Sequence, residues 1–250
     1  MCRLISREIE TLVVSHGGVG TTFIMEFIQQ FHTVNCPYDR DGLKHLPLQP
    51  LSANPDLKVL YVFGDPVEAA ASLFRRGYQS TQSANLARFG VVGPRKITHD
   101  TTIAQYASSG QDSLHLSQHF NHWLDNRLGY STLYIDYRAL WANLETLFKF
   151  LNIASENIDS FPAQTPRSTS LGHLDSETLE GLTKIYQEQR NLLKAIGATK
   201  KLDATTSPNQ RSAKFITSIN GLLTPAHAIR WRLKKLYAGR LATKRASQQN

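Results

Sequence analysis

The chain has 250 residues, 41% of them apolar and 19% charged, enough to bury a full core as one α/β domain or as one domain with an appendage. It has no run of about 18 or more apolar residues, so no membrane-spanning helix is expected, and Cys2 and Cys36 form neither a disulfide framework nor a metal-type spacing. The net charge of +8 is local: residues 201–250 hold ten Lys/Arg against one acid, Asp203, while residues 1–200 hold 18 Lys/Arg against 19 acids. The first residues, Met-Cys-Arg-Leu, lack an apolar core of signal-peptide length. A reduced, cytoplasmic setting is the simplest expectation.

Leu12-Val-Val14 reads as a short buried strand, and Thr21 to about Phe31 as the helix after it, with Phe23, Phe27 and Phe31 on one face. Between them lies Ser15-His-Gly-Gly-Val-Gly20, a glycine-rich turn. Glycines let backbone approach an anion and adopt positive φ. Helix-start N–H groups and the helix dipole favour negative charge there, and Thr21 and Thr22 add hydroxyls. A plain capped turn is the alternative. It is not a G-x-x-x-x-G-K-[ST] loop, because Thr21 stands in the lysine place.

Residues 35–56 read mainly as loop. Leu57 to Phe63 is the clearest strand, continuous and β-prone, as in a parallel sheet covered on both faces. A helix should follow, with Asp65 as N-cap, Pro66 in its first turn, Glu68 near its positive end, and Gly77 past its end. Residues 79–112 read as a mobile or partly helical insertion. Residues 113–127 read as a helix, on which His119, His122 and Trp123 form a face. Two histidines three apart could bind metal, but packing is the simpler role. Residues 131–137 are a third strand, 140–151 a helix, 154–175 a loop, and 177–196 an amphipathic helix. Residues 199–213 look like a linker. Strands alternating with helices imply a parallel sheet with crossover connections.

The turn "GGVGTTF" resembles the 5′-phosphosulfate loop Pro-Lys-Ser-Gly-Thr-Thr-Trp of PAPS-dependent sulfotransferases. "KVLYVFGDPVEAAASLFRRGY" (58–78) resembles that family's 3′-phosphate segment, with Asp65, Pro66 and Ser72 at matching places. "YSTLYIDYRALWANLETLFKFLNI" (130–153) and "LDSETLEGLTKIYQEQRNLLKAIGA" (174–198) resemble its later strand–helix and closing helix. "LKHLPLQP" (43–50) resembles its Lys-x-His-Leu-Pro segment, whose histidine is the catalytic base. The resemblance covers roughly residues 10–198.

It implies a three-layer P-loop-like α/β domain over 1–198, then a linker and basic segment over 199–250. It implies transfer of a sulfuryl group from PAPS to an acceptor hydroxyl or amine, without a metal. Gly17, Gly18, Gly20, Thr21 and Thr22 would hold the 5′-phosphosulfate, Ser72 the 3′-phosphate, and His45 would be the base, with His16 a second candidate. A histidine of near-neutral pKa suits that task. Two cations of the family pattern are missing: Gly18 stands at the loop lysine and Gly64 at the 3′-phosphate arginine. Arg75, Arg76 and Arg167 are candidate replacements. Lys44 is another, although neighbours in an extended segment face opposite ways, so only one of Lys44 and His45 is expected to enter the site.

Two other functions stay open: a small-molecule kinase, with Asp65 or Asp136 on Mg²⁺, and a non-catalytic relative that binds a nucleotide or phosphate. The acceptor, a small molecule, glycan or lipid, would be met by residues 36–56 and 79–112, with Tyr38, Tyr78, Tyr106 and Phe89 as aromatic surface. In the tail, 225–250 reads as a basic amphipathic helix. It could dock on the body, or contact an anionic membrane surface, nucleic acid or an acidic partner.

Overall fold

The computed structural model describes residues 4–52, 54–87, 97–125, 129–164 and 171–204. They belong to a compact unit, Met1–Thr206. A second unit, Ser207–Asn250, lies outside the described residues, and with it the expected basic helix at 225–250.

The elements, in chain order, are β1 (Leu4–Ile5), β2 (Thr11–Val14), α1 (Thr21–Ile28), β3 (Leu51–Ser52), β4 (Lys58–Phe63), α2 (Pro66–Arg75), α3 (Gln79–Leu86), α4 (Ile103–Ser108), α5 (Leu116–Leu124), β5 (Ser131–Asp136), α6 (Leu144–Leu151), α7 (Ser176–Ile196) and β6 (Thr199–Leu202). The fold is α/β, an open sheet of four strands flanked by helices. The order is β2-β4-β5-β6, the first three parallel and β6 antiparallel to β5. β1 and β3 form a separate parallel pair.

The buried strands explain the uninterrupted apolar runs. Val13, Leu60, Val62, Leu133 and Ile135 face one layer, built from α1, α2, α6 and the first half of α7. Leu12, Val14, Val59, Tyr61, Phe63 and Tyr134 face the other, which holds Phe120 and Trp123 of α5. α7 serves both layers. Leu182 and Tyr186 pack in the first, and Leu192, Leu193 and Ile196 against the second. Tyr106 of α4 and Tyr186 share a hydrogen bond of 2.6 Å, and both hydroxyls lie within hydrogen-bond reach of Asp112 Oδ1, at 3.2 and 2.9 Å, so one hydroxyl donates to the other and that one donates to the carboxylate.

Two readings are corrected. Residues 199–202 are not the start of a linker. They form β6, whose Thr199 to Leu202 pair with Ile135 back to Thr132. Tyr106 is not acceptor surface, because it is 2% exposed and committed to Tyr186. The segment 79–112 is helical at α3 and α4; Phe89 lies outside the described residues.

Candidate functional site

The turn after β2 is held from three sides. Gly17, Gly18 and Gly20 all have positive φ, of 93°, 73° and 71°. A Cβ on Gly18 would sit 2.7 Å from the Ala69 carbonyl oxygen of α2, and one on Gly17 2.7 Å from Gln82 Nε2. One on Gly20 would meet the Tyr137 ring at 3.0 Å. Gln82 Nε2 donates to the His16 carbonyl at 2.8 Å, and Val19 is buried. The glycines therefore serve close packing as well as chain reversal. α1 starts from Gly20 with no side-chain cap, leaving its first N–H groups without a side-chain acceptor.

The segment 43–49 lies against this turn, and its geometry corrects the expectation that Lys44 and His45 face apart. The pair occupies a turn, not a strand, so strict alternation does not apply. Lys44 Nζ donates to Thr22 Oγ1 at 2.8 Å and to the Pro37 carbonyl at 2.7 Å. His45 Nδ1 donates to the Ser15 carbonyl at 2.8 Å, while Ser15 N–H donates back to the Lys44 carbonyl at 3.0 Å. One segment thus sends His45 to Ser15 at the start of the glycine turn and Lys44 to Thr22 in the first turn of α1.

Their protonation follows from burial. Lys44 is 6% exposed. Desolvation lowers its pKa, opposed by Asp39 and reinforced by Arg76. Desolvation pushes His45 down to about 4 against the pull of the Ser15 carbonyl, with Lys44 and Arg76 adding to the fall. A carbonyl can only accept, so the proton of neutral His45 sits on Nδ1 and Nε2 carries the lone pair. That is the protonation form a general base needs, but a pKa of about 4 departs from the near-neutral value expected of it and makes it a weak base.

The remaining expected residues divide. Thr21 is buried at the start of α1, and Ser72 is buried in α2. Arg75 is exposed at the end of α2. Arg76 folds back, its Nε donating to the Ser72 carbonyl at 3.0 Å and its guanidinium lying 5.3 Å from the Tyr78 ring centre. It lies on the Lys44–His45 side, where its charge lowers both of their pKa values. His16 turns its Nδ1 onto the Gly17 carbonyl at 2.9 Å. Arg167 lies outside the described residues. His119 pairs with the Tyr61 hydroxyl at 2.8 Å and is buried, and among the described residues no cluster could hold a metal ion.

Near Gly64 two cations arrive from elsewhere. Arg190 of α7 places Nη2 3.1 Å from Asp65 Oδ2, and Arg138 places Nη2 at 3.5 Å from the same oxygen and Nη1 3.7 Å from Glu68. They border a cleft of about 500 Å3 at the carboxyl ends of β4 and β5, with Asp136, Leu193 and Lys194 also in its wall. The glycine turn and His45 do not line it. Sequence reasoning missed Gln82, Tyr137, Arg138 and Arg190. They come from three distant segments, and no local pattern in the sequence joins them to the turn or to Asp65.

The chain matches no protein-family model and no curated protein sequence. Among the described residues no helix is long and apolar enough to cross a membrane.

Proposed function

We propose that the chain is a PAPS-dependent sulfotransferase of P-loop-like fold, with the glycine turn as its phosphosulfate site and His45 as its base. The observation that carries this reading is the reach of Lys44 Nζ to Thr22 Oγ1. It supplies a cation at the first turn of the helix that leaves the glycine turn, although the position where the resemblance places a lysine holds Gly18. A lysine at 18 would drive its Cβ into the Ala69 carbonyl, so the charge has a physical reason to come from another segment.

The residues fit a phosphosulfate in kind. The turn presents uncapped N–H groups at a helix start, a threonine hydroxyl and one buried ammonium. PAPS would supply an activated sulfuryl group whose bond to the 5′-phosphate oxygen breaks as the acceptor oxygen bonds to sulfur. His45 Nε2 takes the acceptor proton in that scheme. Lys44 offsets charge growing on the leaving phosphate, a contribution of about 2.7–4 kcal/mol where one such donor is removed. Ser72, Arg76 and the arginines at Asp65 are the candidates nearest the 3′-phosphate segment. Acceptor contacts would fall to exposed Tyr38 and Tyr78.

Calorimetric titration with adenosine 3′,5′-bisphosphate, alongside ATP, tests the reading. The bisphosphate should bind, and Lys44→Met should weaken it about 10²-fold or more. Silence from the bisphosphate rejects the assignment. ATP binding in its place favours a small-molecule kinase, and silence from both favours a non-catalytic relative.

A further inference from the structure

We propose that α5 is the frame that positions the Lys44–His45 turn, and that Trp123 is its positioning residue, acting on His45 through the Leu46 carbonyl. The proposal builds on the reading of His45 and Lys44 as the working pair.

The 44–49 turn has no strand or helix of its own, so its buried carbonyls need partners from elsewhere. α5 supplies them. Trp123 Nε1 donates to the Leu46 carbonyl at 2.8 Å, and His122 Nδ1 faces the Pro47 carbonyl at 3.4 Å. The turn answers in kind, with Gln49 Nε2 donating to the Trp123 carbonyl at 2.9 Å. Tyr134 of β5 donates to that same carbonyl, which ties the frame to the sheet. Trp123 is fully buried, its ring against Tyr61 and His119.

On the other side the turn is latched to Ser15 by the reciprocal pair at Lys44 and His45. It is therefore held between the end of β2 and α5. The Leu46 carbonyl is one residue from the His45 ring. Rotation of that peptide would swing the imidazole off Ser15 and draw Lys44 away from Thr22. Packing alone would be served by any large ring at 123; the indole N–H is the part that fixes the peptide.

The test uses Trp123→Phe, which keeps an aromatic ring and removes the donor. Phe120→Leu is the control, a lesion of the same helix that makes no bond to the turn. The readout is the His45 ring by NMR, assigned through His45→Gln and followed from about pH 4 to about pH 8, a window around the ordinary histidine value. The charged and titrating groups that act on the ring are Lys44, Arg76 and His119, and His119 in turn faces His16 and His122. In the wild type the ring should stay neutral with its proton on Nδ1 over most of that window. In Trp123→Phe its titration should move up by about one pH unit or more, as solvent reaches it, and the Nδ1 preference should fade. Gln49→Met, which removes the reciprocal bond, should shift the ring in the same direction, and serves if Trp123→Phe fails to fold.

Phe120→Leu should lose stability and leave the ring unchanged. An unmoved His45 in both turn variants, or an equal shift in the control, overturns the proposal. Binding of adenosine 3′,5′-bisphosphate should weaken about tenfold in Trp123→Phe. If the wild type does not bind it at all, the functional reading falls, while the His45 titration still decides the positioning role.

Discussion

At Gly18 backbone conformation and packing act together. Its φ of 73° belongs to the left-handed region, and its virtual Cβ lies 2.7 Å from a helix carbonyl that cannot rotate away. Restoring a lysine at 18 should therefore weaken the fold. The left-handed backbone costs about 1–2 kcal/mol, and overpacking adds about 1–3 kcal/mol. The urea midpoint of Gly18→Lys measures it, and an unchanged midpoint would mean that the turn does not press on α2. This residue also shows why the site was half legible. The glycine–threonine pattern marked an anion-type turn correctly as a turn, but the partners that close it are separated from it in sequence. Lys44 could be named but not oriented. Its direction depends on the 43–49 backbone forming a turn instead of an extended segment, and that is set by contacts with Ser15 and Trp123.

Among the elements, α2 was the most readable and remains the most informative. Asp65 accepts from the Val67 N–H at 2.9 Å, Pro66 follows at the first helical position, and Gly77 ends the segment with φ 69°. Local chemistry decides such boundaries, so sequence alone finds them. β6 was not readable for the opposite reason. Thr199-Lys-Lys-Leu202 has no distinctive pattern, and its pairing with β5 becomes available only once α7 has carried the chain back to the sheet. Two consequences can be separated at Asp65. Asp65→Asn keeps a capping oxygen and removes the charge that meets Arg190 and Arg138. Asp65→Ala removes both. The lost cap costs about 1 kcal/mol, whereas half-exposed ion pairs contribute about 0.2–1 kcal/mol. Denaturation should therefore rank wild type, then Asn, then Ala. Equal losses for the two variants would mean that the arginine contacts, not the cap, dominate at this corner.

For the whole molecule the fully buried His119 and the partly buried His45 and His32 set the response to acid. Burial holds His119 well below the ordinary value, and its histidine neighbours His16, His45 and His122 push the same way. His45 is pushed down to about 4, and His32 is also lowered by burial. In the unfolded chain each ring takes a proton near pH 6.5. Between that value and the folded ones, the unfolded state binds more protons, so stability rises with pH there and is lost on acidification. The stabilisation is fully present above about pH 6.5 and drains as the pH falls toward about 4, at up to about 1.4 kcal/mol per pH unit for each histidine still neutral in the fold. Urea midpoints taken between about pH 7 and about pH 5 should therefore fall steadily, a window chosen to lie above ordinary carboxylate titration. His119→Gln should lower the midpoint at neutral pH, because the Tyr61 bond is disturbed, and should also make the slope shallower by about one proton. A flat midpoint over that range would show that the folded protein takes up protons as readily as the unfolded chain. His45 would then titrate near the ordinary histidine value, and burial would not be keeping protons off these rings.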